Sequence, residues 1–397
     1  MATNGQAPAL KRQRVEKEAE HISNGEVAVN NWSSPGPAAF DFRSDVTTTP
    51  TTRMLNAIAS TTLLDDVFQS DPTTNNLETF IAELTGKDSA LLVLSGTMGN
   101  QVAIRAHLQG PPHSIVTDHR SHIMQHEAGG VASLCGAMTL TVEPSNGRYV
   151  TLEDVKKKTI ISDNVHACPT KLVSLENTLA GVIIPLAECQ RISAWAHENN
   201  IIMHLDGARL WEAVAAGAGS LKDYCACFDS ISLCFSKGLG APIGSIIIGT
   251  QAFITRSRWI RKSIGGGLRQ AGVVTAAARV AVEDTFLGGL LSASHDRARK
   301  IEEMWKGYGG KTVHPVETNM VWLDLEAVGV SVEKFIELGE MVGLRLMGGR
   351  LVVHYQIRDE ATERLGKVMR AVWKGEELNG SVDIDPQELK KGGKVAR

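Results

Sequence analysis

The stretch "LLVLSGTMGNQVAIRAH", residues 91–107, changes its pattern partway along. It begins with an uninterrupted apolar run, which is typical of a strand buried on both faces. Ser95, Gly96 and Thr97 end the run, and a helical pattern begins at about Met98. A buried strand that leads through a short turn into a helix is the repeating unit of an α/β fold.

Further apolar runs with strand character follow along the chain. They lie at residues 115–117, 138–142, 172–175, 201–205, 231–235 and 245–248. The segments between many of them, such as "LAECQRISAWAHEN" at residues 186–199, are long enough to be crossover helices. The pattern therefore predicts an α/β domain with a mostly parallel, seven-stranded sheet flanked by helices.

The pattern changes after about residue 285, where helices are separated by the short strands "MVWLDL" and "RLVVHYQI". This change predicts a smaller α+β domain at residues 285–375, behind a large domain at residues 39–284. Residues 1–38 are polar and end in the turn-rich "NNWSSPGPAA", so we predict a disordered tail there. Residues 376–397 are predicted to be a second tail.

Composition excludes several classes of protein. The 397 residues are 43% hydrophobic and contain no apolar run of the roughly 18 residues that a membrane span needs. The net charge of -3 gives no electrostatic reason to expect a nucleic-acid or membrane partner. The N-terminus lacks the apolar core of a secretory signal, which predicts a cytoplasmic protein with reduced cysteines. Cys225, Cys227 and Cys234 could form a metal cluster, but no Cys/His pair completes the usual spacing, so we predict no metal.

Ligands of open α/β sheets bind beyond the carboxyl ends of the strands, and these positions carry polar residues here. Gly96 and Thr97 follow the first run at a helix start, where free N–H groups and a hydroxyl can bind an anion; capping of the helix is the alternative. Asp206 follows the run at residues 201–205, and as an isolated feature it could be a helix cap too.

Lys237 follows another strand end, in "SLCFSKGLG" at residues 232–240. Desolvation at a crowded strand end disfavours the ammonium form, and a neutral amine can form a Schiff base. The alternative is a surface lysine. An anion site, a strand-end aspartate and a strand-end lysine together match the needs of pyridoxal phosphate, which are a phosphate cradle, a carboxylate for the pyridine nitrogen and an amine for the aldehyde.

From residue 40 to about residue 357 the sequence resembles the threonine aldolases, pyridoxal-phosphate enzymes of the aspartate-aminotransferase fold (fold type I), particularly their fungal branch. The resemblance is carried by long motifs: "FDFRSDVTTTPTT", "DDVFQSDPTTNNLE", "LSGTMGNQVAIRAH", "HRSHIMQHEAGG", "LVSLENTLAG", "HLDGARLWEA", "CFSKGLGAPIGS", "RKSIGGGLRQAG" and "LMGGRLVVHYQ". It implies that residues 39–60 contribute to the active site.

The resemblance also implies a role for each matching residue. Lys237 would carry the cofactor, Asp206 would pair with its pyridine nitrogen, and His122 would stack on its ring. Phosphate would be bound by Gly96 and Thr97, with Lys262 and Arg269 reaching it from a neighbouring subunit. The substrate carboxylate would be bound by Ser44, Arg209 and Arg350, of which Arg209 would also contact the cofactor. His166 would lie near the substrate side chain, unless it is a surface loop residue.

The implied activity is cleavage of L-threonine or L-allo-threonine to glycine and acetaldehyde by a homo-oligomer, a dimer or tetramer, with shared active sites. Two departures from the family pattern lie on the predicted substrate side. Relatives have a tyrosine where this chain has Phe68, and many have a histidine in or just after the E-N-T segment, where this chain has Ala180. Both changes remove a polar group, which leaves an amino-acid racemase acting on alanine as the alternative. A catalytically silent relative is a third possibility.

Overall fold

The computed structural model describes residues 31–374. Its main feature is a seven-stranded sheet in the order β1-β7-β6-β5-β4-β2-β3. The strands are β1 (Ser89–Val93), β2 (Ser114–Asp118), β3 (Met138–Val142), β4 (Thr170–Glu176), β5 (Ile202–Asp206), β6 (Ser230–Cys234) and β7 (Ser245–Gly249). The sequence prediction of seven strands in a mostly parallel sheet is confirmed.

Helices cover the sheet and form much of the second half of the chain. They are α1 (Thr52–Ala59), α2 (Pro72–Thr85), α3 (Gly96–His107), α4 (His122–Gln125), α5 (Gly130–Ser133), α6 (Leu152–Lys158), α7 (Leu186–Glu198), α8 (Leu210–Ala215), α9 (Leu221–Ala226), α10 (Gln251–Ser263), α11 (Gly272–Ala281), α12 (Leu290–Gly307), α13 (Val332–Met341) and α14 (Asp359–Lys374). No helix in residues 31–374 is long and apolar enough to cross a membrane.

Strand β7 runs antiparallel to both of its neighbours, β1 and β6. The segment that joins β6 to β7 contains no helix, so it cannot make the crossover that a parallel pair requires. It turns back instead: the Phe235 amide donates to the Gly244 carbonyl at 3.0 Å, and the Gly240 amide to the Lys237 carbonyl at 2.9 Å. Lys237 therefore lies in a hydrogen-bonded turn at the carboxyl end of β6.

The last part of the chain has a hydrophobic core of its own. A two-stranded antiparallel sheet, β8 (Met320–Trp322) and β9 (Arg350–Val352), packs with α12, α13 and α14 around Trp305, Phe335 and Leu365. Phe42 completes this core, because its backbone bonds to Arg345 and Val352 hold the N-terminal segment against it. We propose that the two cores correspond to the two predicted domains, with the boundary in the π-helical segment Val282–Leu287.

The start of the described chain includes residues that the sequence placed in the tail. Trp32 packs against the large core, its carbonyl accepts the Thr52 hydroxyl at 2.9 Å, and Gly36–Phe40 form a 3-10 helix. The described structure therefore begins before residue 39. The other predicted tail residues, 1–30 and 376–397, lie outside the described residues.

Candidate active site

Lys237 and Asp206 lie at the ends of adjacent parallel strands. Asp206 is the last residue of β5, is 4% exposed and pairs with Ser232 of β6; Lys237 follows β6 in the turn described above. The Thr48 hydroxyl donates to the Lys237 carbonyl at 3.1 Å, which fixes the lysine backbone. In residues 31–374, the Lys237 Nζ has no hydrogen-bond or ion-pair partner. A half-buried amine is thus left free for an external electrophile.

Helix α3 begins beside this lysine turn. The Ser95 side chain caps the helix by accepting from the Met98 amide at 3.1 Å, and a first helical turn leaves its other N–H groups without intrahelical acceptors. A Cβ on Gly96 would lie 2.8 Å from the Cys234 Sγ, so only glycine lets the helix start approach β6 this closely. The chain thus has an anion cradle, a buried carboxylate and a free amine at one sheet edge, and these residues fit pyridoxal phosphate.

His122 opens helix α4 in the same corner. Its ring Nδ1 lies 2.9 Å from the Glu127 carboxylate, and its backbone amide donates to Glu176 at 2.7 Å. The hydrogen bond to Glu127 raises the pKa of His122 above its ordinary value. Ligand atoms of His122, Glu127 and Asp206 lie within 4.8 Å of one another. With Nδ1 held by Glu127, Nε2 is the nitrogen that remains for proton transfer.

Glu176 ends β4, directly beside Asp206 in the register of β4 and β5. Burial and the neighbouring Asp206 charge raise the pKa of the Glu176 carboxyl to about 8, against weaker opposite effects of the His122 amide, Lys237 and His122. The site therefore places the carboxyl of Glu176, which is mostly neutral at neutral pH, directly beside Asp206. Strand ends of β4, β5 and β6 thus all carry ionisable groups.

We expect Glu176→Gln to remove a pH dependence of stability in the apoenzyme. Because the folded-state pKa of Glu176 is raised, the folded chain binds more protons than the unfolded chain between about pH 4.5 and about pH 8. This contribution is present below the unfolded pKa and is lost as the pH rises through the folded pKa. As the pH rises from 5 to 9, the thermal unfolding temperature of the wild type should fall relative to that of the variant. The side-chain oxygen of the glutamine can still accept the hydrogen bond from the His122 backbone amide. Parallel profiles would contradict the assignment.

Arg209 has a partner within its own chain. Its Nε and NH2 groups donate to the Asp45 carboxylate at 2.8 and 2.5 Å; the Asp45 side chain is fully buried and that of Arg209 is 13% exposed. Burial would raise the pKa of Asp45, but the Arg209 charge and hydrogen bonds, and the Lys237 charge, hold it far below its ordinary value. The role of Arg209 toward the substrate carboxylate stays a prediction. The pair with Asp45 fixes the segment that carries Ser44.

Arg350, at the start of β9, is the arginine that keeps donors available. One of its nitrogens donates to the Arg43 carbonyl at 2.9 Å, and no carboxylate in residues 31–374 pairs with it. Its guanidinium lies 5.9 Å from the centre of the Trp322 ring, whose N–H donates to the Ala180 carbonyl at 2.9 Å. Trp322 thus joins Arg350 to the loop of Ala180. Arg350 and Ala180, which the sequence predicted on the substrate side, are therefore linked through Trp322, which it did not predict.

Other predicted residues lie on exposed surface. Arg269 pairs with Asp65 at 2.8 Å and lies 6.0 Å from the centre of the Phe68 ring, which is 76% exposed; Lys262 is exposed nearby. No hydrogen bond or ion pair in the described part of the chain joins them to Gly96 or Thr97 of the same copy. That Lys262 and Arg269 bind the cofactor phosphate of a neighbouring subunit stays a proposal.

His166 lies in an exposed loop between α6 and β4. The Asn164 side chain accepts a hydrogen bond from its backbone amide at 2.9 Å, and no hydrogen bond or ion pair in residues 31–374 joins its ring to the other site residues. A role near the substrate stays a prediction. The surface-loop interpretation agrees with its position in this chain.

Sequence reasoning missed four residues of the site: Asp45, Asn100, Glu127 and Glu176. The strand-end rule that singled out Asp206 applies equally to Glu176, which ends β4. Asn100 lies one helical turn past the anion cradle, where its amide donates to Asp206 at 2.7 Å. No sequence signal marked Glu127, since its value lies in the tertiary contact with His122.

The chain is similar in sequence to several known proteins. The profile of the beta-eliminating lyase family matches residues 41–328. The chain is 62% identical to the aldolase vrtJ of Penicillium aethiopicum, over 92% of each chain. It is 46% identical to the alanine racemase TOXG of Cochliobolus carbonum, over 87% of this chain and 91% of that protein. It is 45% identical to the low-specificity L-threonine aldolase of Candida albicans, over 82% and 88%.

Solved structures share the fold. A threonine aldolase from Leishmania major matches with a TM-score of 0.74 and 21% identity, over 84% of this chain and 99% of that one. A serine palmitoyltransferase from Sphingomonas wittichii matches with a TM-score of 0.66 and 17% identity, over 93% and 99%. Both have a similar arrangement of sheet and helices, in agreement with the fold type I prediction.

Proposed function

The chain belongs to the beta-eliminating lyase family, and from this premise we propose that it cleaves L-threonine and L-allo-threonine to glycine and acetaldehyde. The class follows from the family: the chain is a pyridoxal-phosphate-dependent lyase. The observation that supports the finer proposal is the free Lys237 amine beside the buried Asp206 carboxylate and the start of α3.

We propose a partner in this chain for each part of the cofactor. Lys237 would take the aldehyde, Asp206 would face the pyridine nitrogen, Gly96 and Thr97 would bind the phosphate, and His122 would lie against the ring. When bound, pyridoxal phosphate withdraws electrons from an attached amino acid and so weakens one bond at its Cα. Which bond is weakened depends on how the chain holds the amino acid.

The chain's own residues decide that orientation. Arg350 has donors free for the substrate carboxylate, in the planar geometry that suits this group. Ser44 directly follows Arg43, whose carbonyl Arg350 contacts, on the segment that Arg209 anchors. Carbon–carbon cleavage also needs a base for the β-hydroxyl proton. The Nε2 of His122 can take it, because Glu127 holds Nδ1 and stabilises the imidazolium that forms.

A paired assay tests the proposal. Purified holoenzyme is incubated with L-threonine, L-allo-threonine and, separately, L-alanine, while acetaldehyde and D-alanine are followed. We expect acetaldehyde at ordinary enzyme rates from the β-hydroxy amino acids. D-alanine formed at such rates without acetaldehyde would reject the lyase proposal.

Alanine racemisation is the second candidate, and a specific observation favours it. Ala180 and Phe68 place apolar side chains where many relatives carry an imidazole or a hydroxyl. The methyl side chain of an alanine substrate needs no polar contact there. The alanine racemase of Cochliobolus carbonum is 46% identical to this chain. The family assignment and the aldolase relatives make lyase activity the first candidate.

We expect Ala180→His to raise kcat/KM for L-threonine by about 2- to 10-fold, the value of one added hydrogen bond to the substrate hydroxyl. The backbone φ of Ala180 is 55°, and its Cβ is already accommodated, so the new ring extends from an existing direction. Ala180→Phe is the matched control, since it adds an apolar ring. Equal kcat/KM values for both variants would remove the main reason to link Ala180 to substrate choice.

We also propose that two copies share each active site through Arg269 and Lys262. Lys237→Ala and Arg269→Ala chains with different tags, co-expressed and isolated as hybrids, test this. If Arg269 serves the neighbouring site, each hybrid dimer regains one intact site and about half of the wild-type activity. If Arg269 acts in its own chain, no intact site forms and the hybrid stays as weak as its parents.

The cytoplasmic location stays a prediction.

A further inference from the structure

A buried chain of hydrogen bonds leads from the interior of the large domain to Asp206. The Asn100 amide nitrogen donates to Asp206 Oδ2 at 2.7 Å and to Glu127 Oε1 at 2.9 Å. The Asn100 oxygen lies 3.1 Å from His204 Nε2, and His204 Nδ1 lies 2.8 Å from the Ser230 hydroxyl. Asn100, His204 and Ser230 are fully buried.

The chain of hydrogen bonds continues to the far end of helix α3. The Ser230 hydroxyl also lies 2.8 Å from His107 Nε2, and the His107 ring stacks on Phe253 with 4.5 Å between ring centres. Asn100 and His107 are about two helical turns apart, so they lie on one face of α3. Helix α3, whose first turn forms the anion cradle, therefore also carries Asn100 and His107, at the two ends of this chain of hydrogen bonds.

The donor and acceptor chemistry fixes the direction of every bond. Both amide protons of Asn100 go to carboxylates, so its oxygen must accept, and His204 must carry its proton on Nε2. Burial lowers the pKa of His204 to about 3 and that of His107 to about 4, so both rings are neutral. Nδ1 of His204 then accepts the Ser230 proton, and the Ser230 oxygen accepts from His107.

We infer that Asn100 is a positioning residue, which locks the Asp206 carboxylate and the Glu127 partner of His122 in one arrangement relative to the start of α3. The Ala208 amide holds the other Asp206 oxygen at 3.0 Å, so the Asp206 plane is defined at both ends. His204, Ser230 and His107 act one step further back, since they fix which way the Asn100 amide faces. The inference rests on the proposed function, because Asp206 needs this orientation only to face a cofactor.

The test measures binding of pyridoxal phosphate to the apoenzyme by its visible absorbance, with thermal unfolding of each apoprotein as the folding control. Asn100→Leu removes two hydrogen bonds to charged groups, and we expect the dissociation constant to rise by about 10- to 100-fold. His204→Leu should act in the same direction. His204→Gln can still donate to Asn100 and should stay within about 2-fold of wild type. Thr85→Val removes a buried hydroxyl that bonds only to the helix backbone, and it should leave the constant unchanged.

An Asn100→Leu dissociation constant within about 2-fold of wild type would overturn the inference. If that variant does not fold, the His204 pair decides: equal constants for the Leu and Gln variants reject positioning, and a difference supports it. A wild-type apoenzyme that fails to bind the cofactor at all rejects the proposed function instead.

Discussion

Lys237→Ala is expected to abolish both acetaldehyde formation from L-threonine and D-alanine formation from L-alanine. An alanine side chain at position 237 has no amine to bind the cofactor aldehyde, and the wild-type Lys237 Nζ has no other partner in residues 31–374. The loss should be at least about 10⁴-fold, on the scale that removal of a catalytic nucleophile produces. The backbone of the turn should persist, because its bonds to Thr48 and Gly240 use the Lys237 carbonyl.

Two readouts separate this loss from misfolding. The visible band of the lysine-bound cofactor should disappear in Lys237→Ala, while the thermal midpoint of the apoprotein stays near that of the wild type. Lys334→Ala is the control, since Lys334 is exposed and pairs with Glu337 on the same helix. Normal turnover by Lys237→Ala would overturn the assignment of the whole site.

The fold could be predicted from the sequence because most of its strands are buried on both faces. All residues of β2, β6 and β7 are buried, and such strands appear as continuous apolar runs that need no periodicity to be recognised. The same property hides strand direction, since "SIIIG" has the same pattern whichever way it runs. Only the missing helix between β6 and β7 indicated the antiparallel pair, and that pair makes the Lys237 turn tight.

The site could be predicted only as far as strand ends determine it. Asp206 and Lys237 follow apolar runs, so topology alone brings them to one sheet edge. Asn100 and Glu127 contribute through contacts across the packing of α3 and the α4 region on the sheet, and these depend on side-chain directions that spacing does not reveal. Arg209 shows a further limit, because its residue type and its motif did not reveal the ion pair with Asp45.

Asp206→Asn is the second change with a large expected effect. Asparagine has nearly the same shape but no charge, so it cannot hold a proton on the pyridine nitrogen by charge attraction. Its single oxygen also cannot accept from both the Asn100 side chain and the Ala208 amide in the geometry that the two Asp206 oxygens provide. We expect kcat/KM for L-threonine to fall by about 10²- to 10³-fold, the loss that follows removal of one preorganised electrostatic partner of the transition state.

The measurement is kcat/KM for L-threonine and L-alanine in cofactor-saturated Asp206→Asn, with Asp296→Asn as a control at an exposed ion pair. Both reactions depend on the same electron withdrawal, so the change should lower both by the same factor and leave their ratio unchanged. Ala180→His lies at the substrate side and should change that ratio instead. If Asp206→Asn altered the ratio, the aspartate would act on the substrate's orientation, and its assignment to the pyridine nitrogen would be wrong.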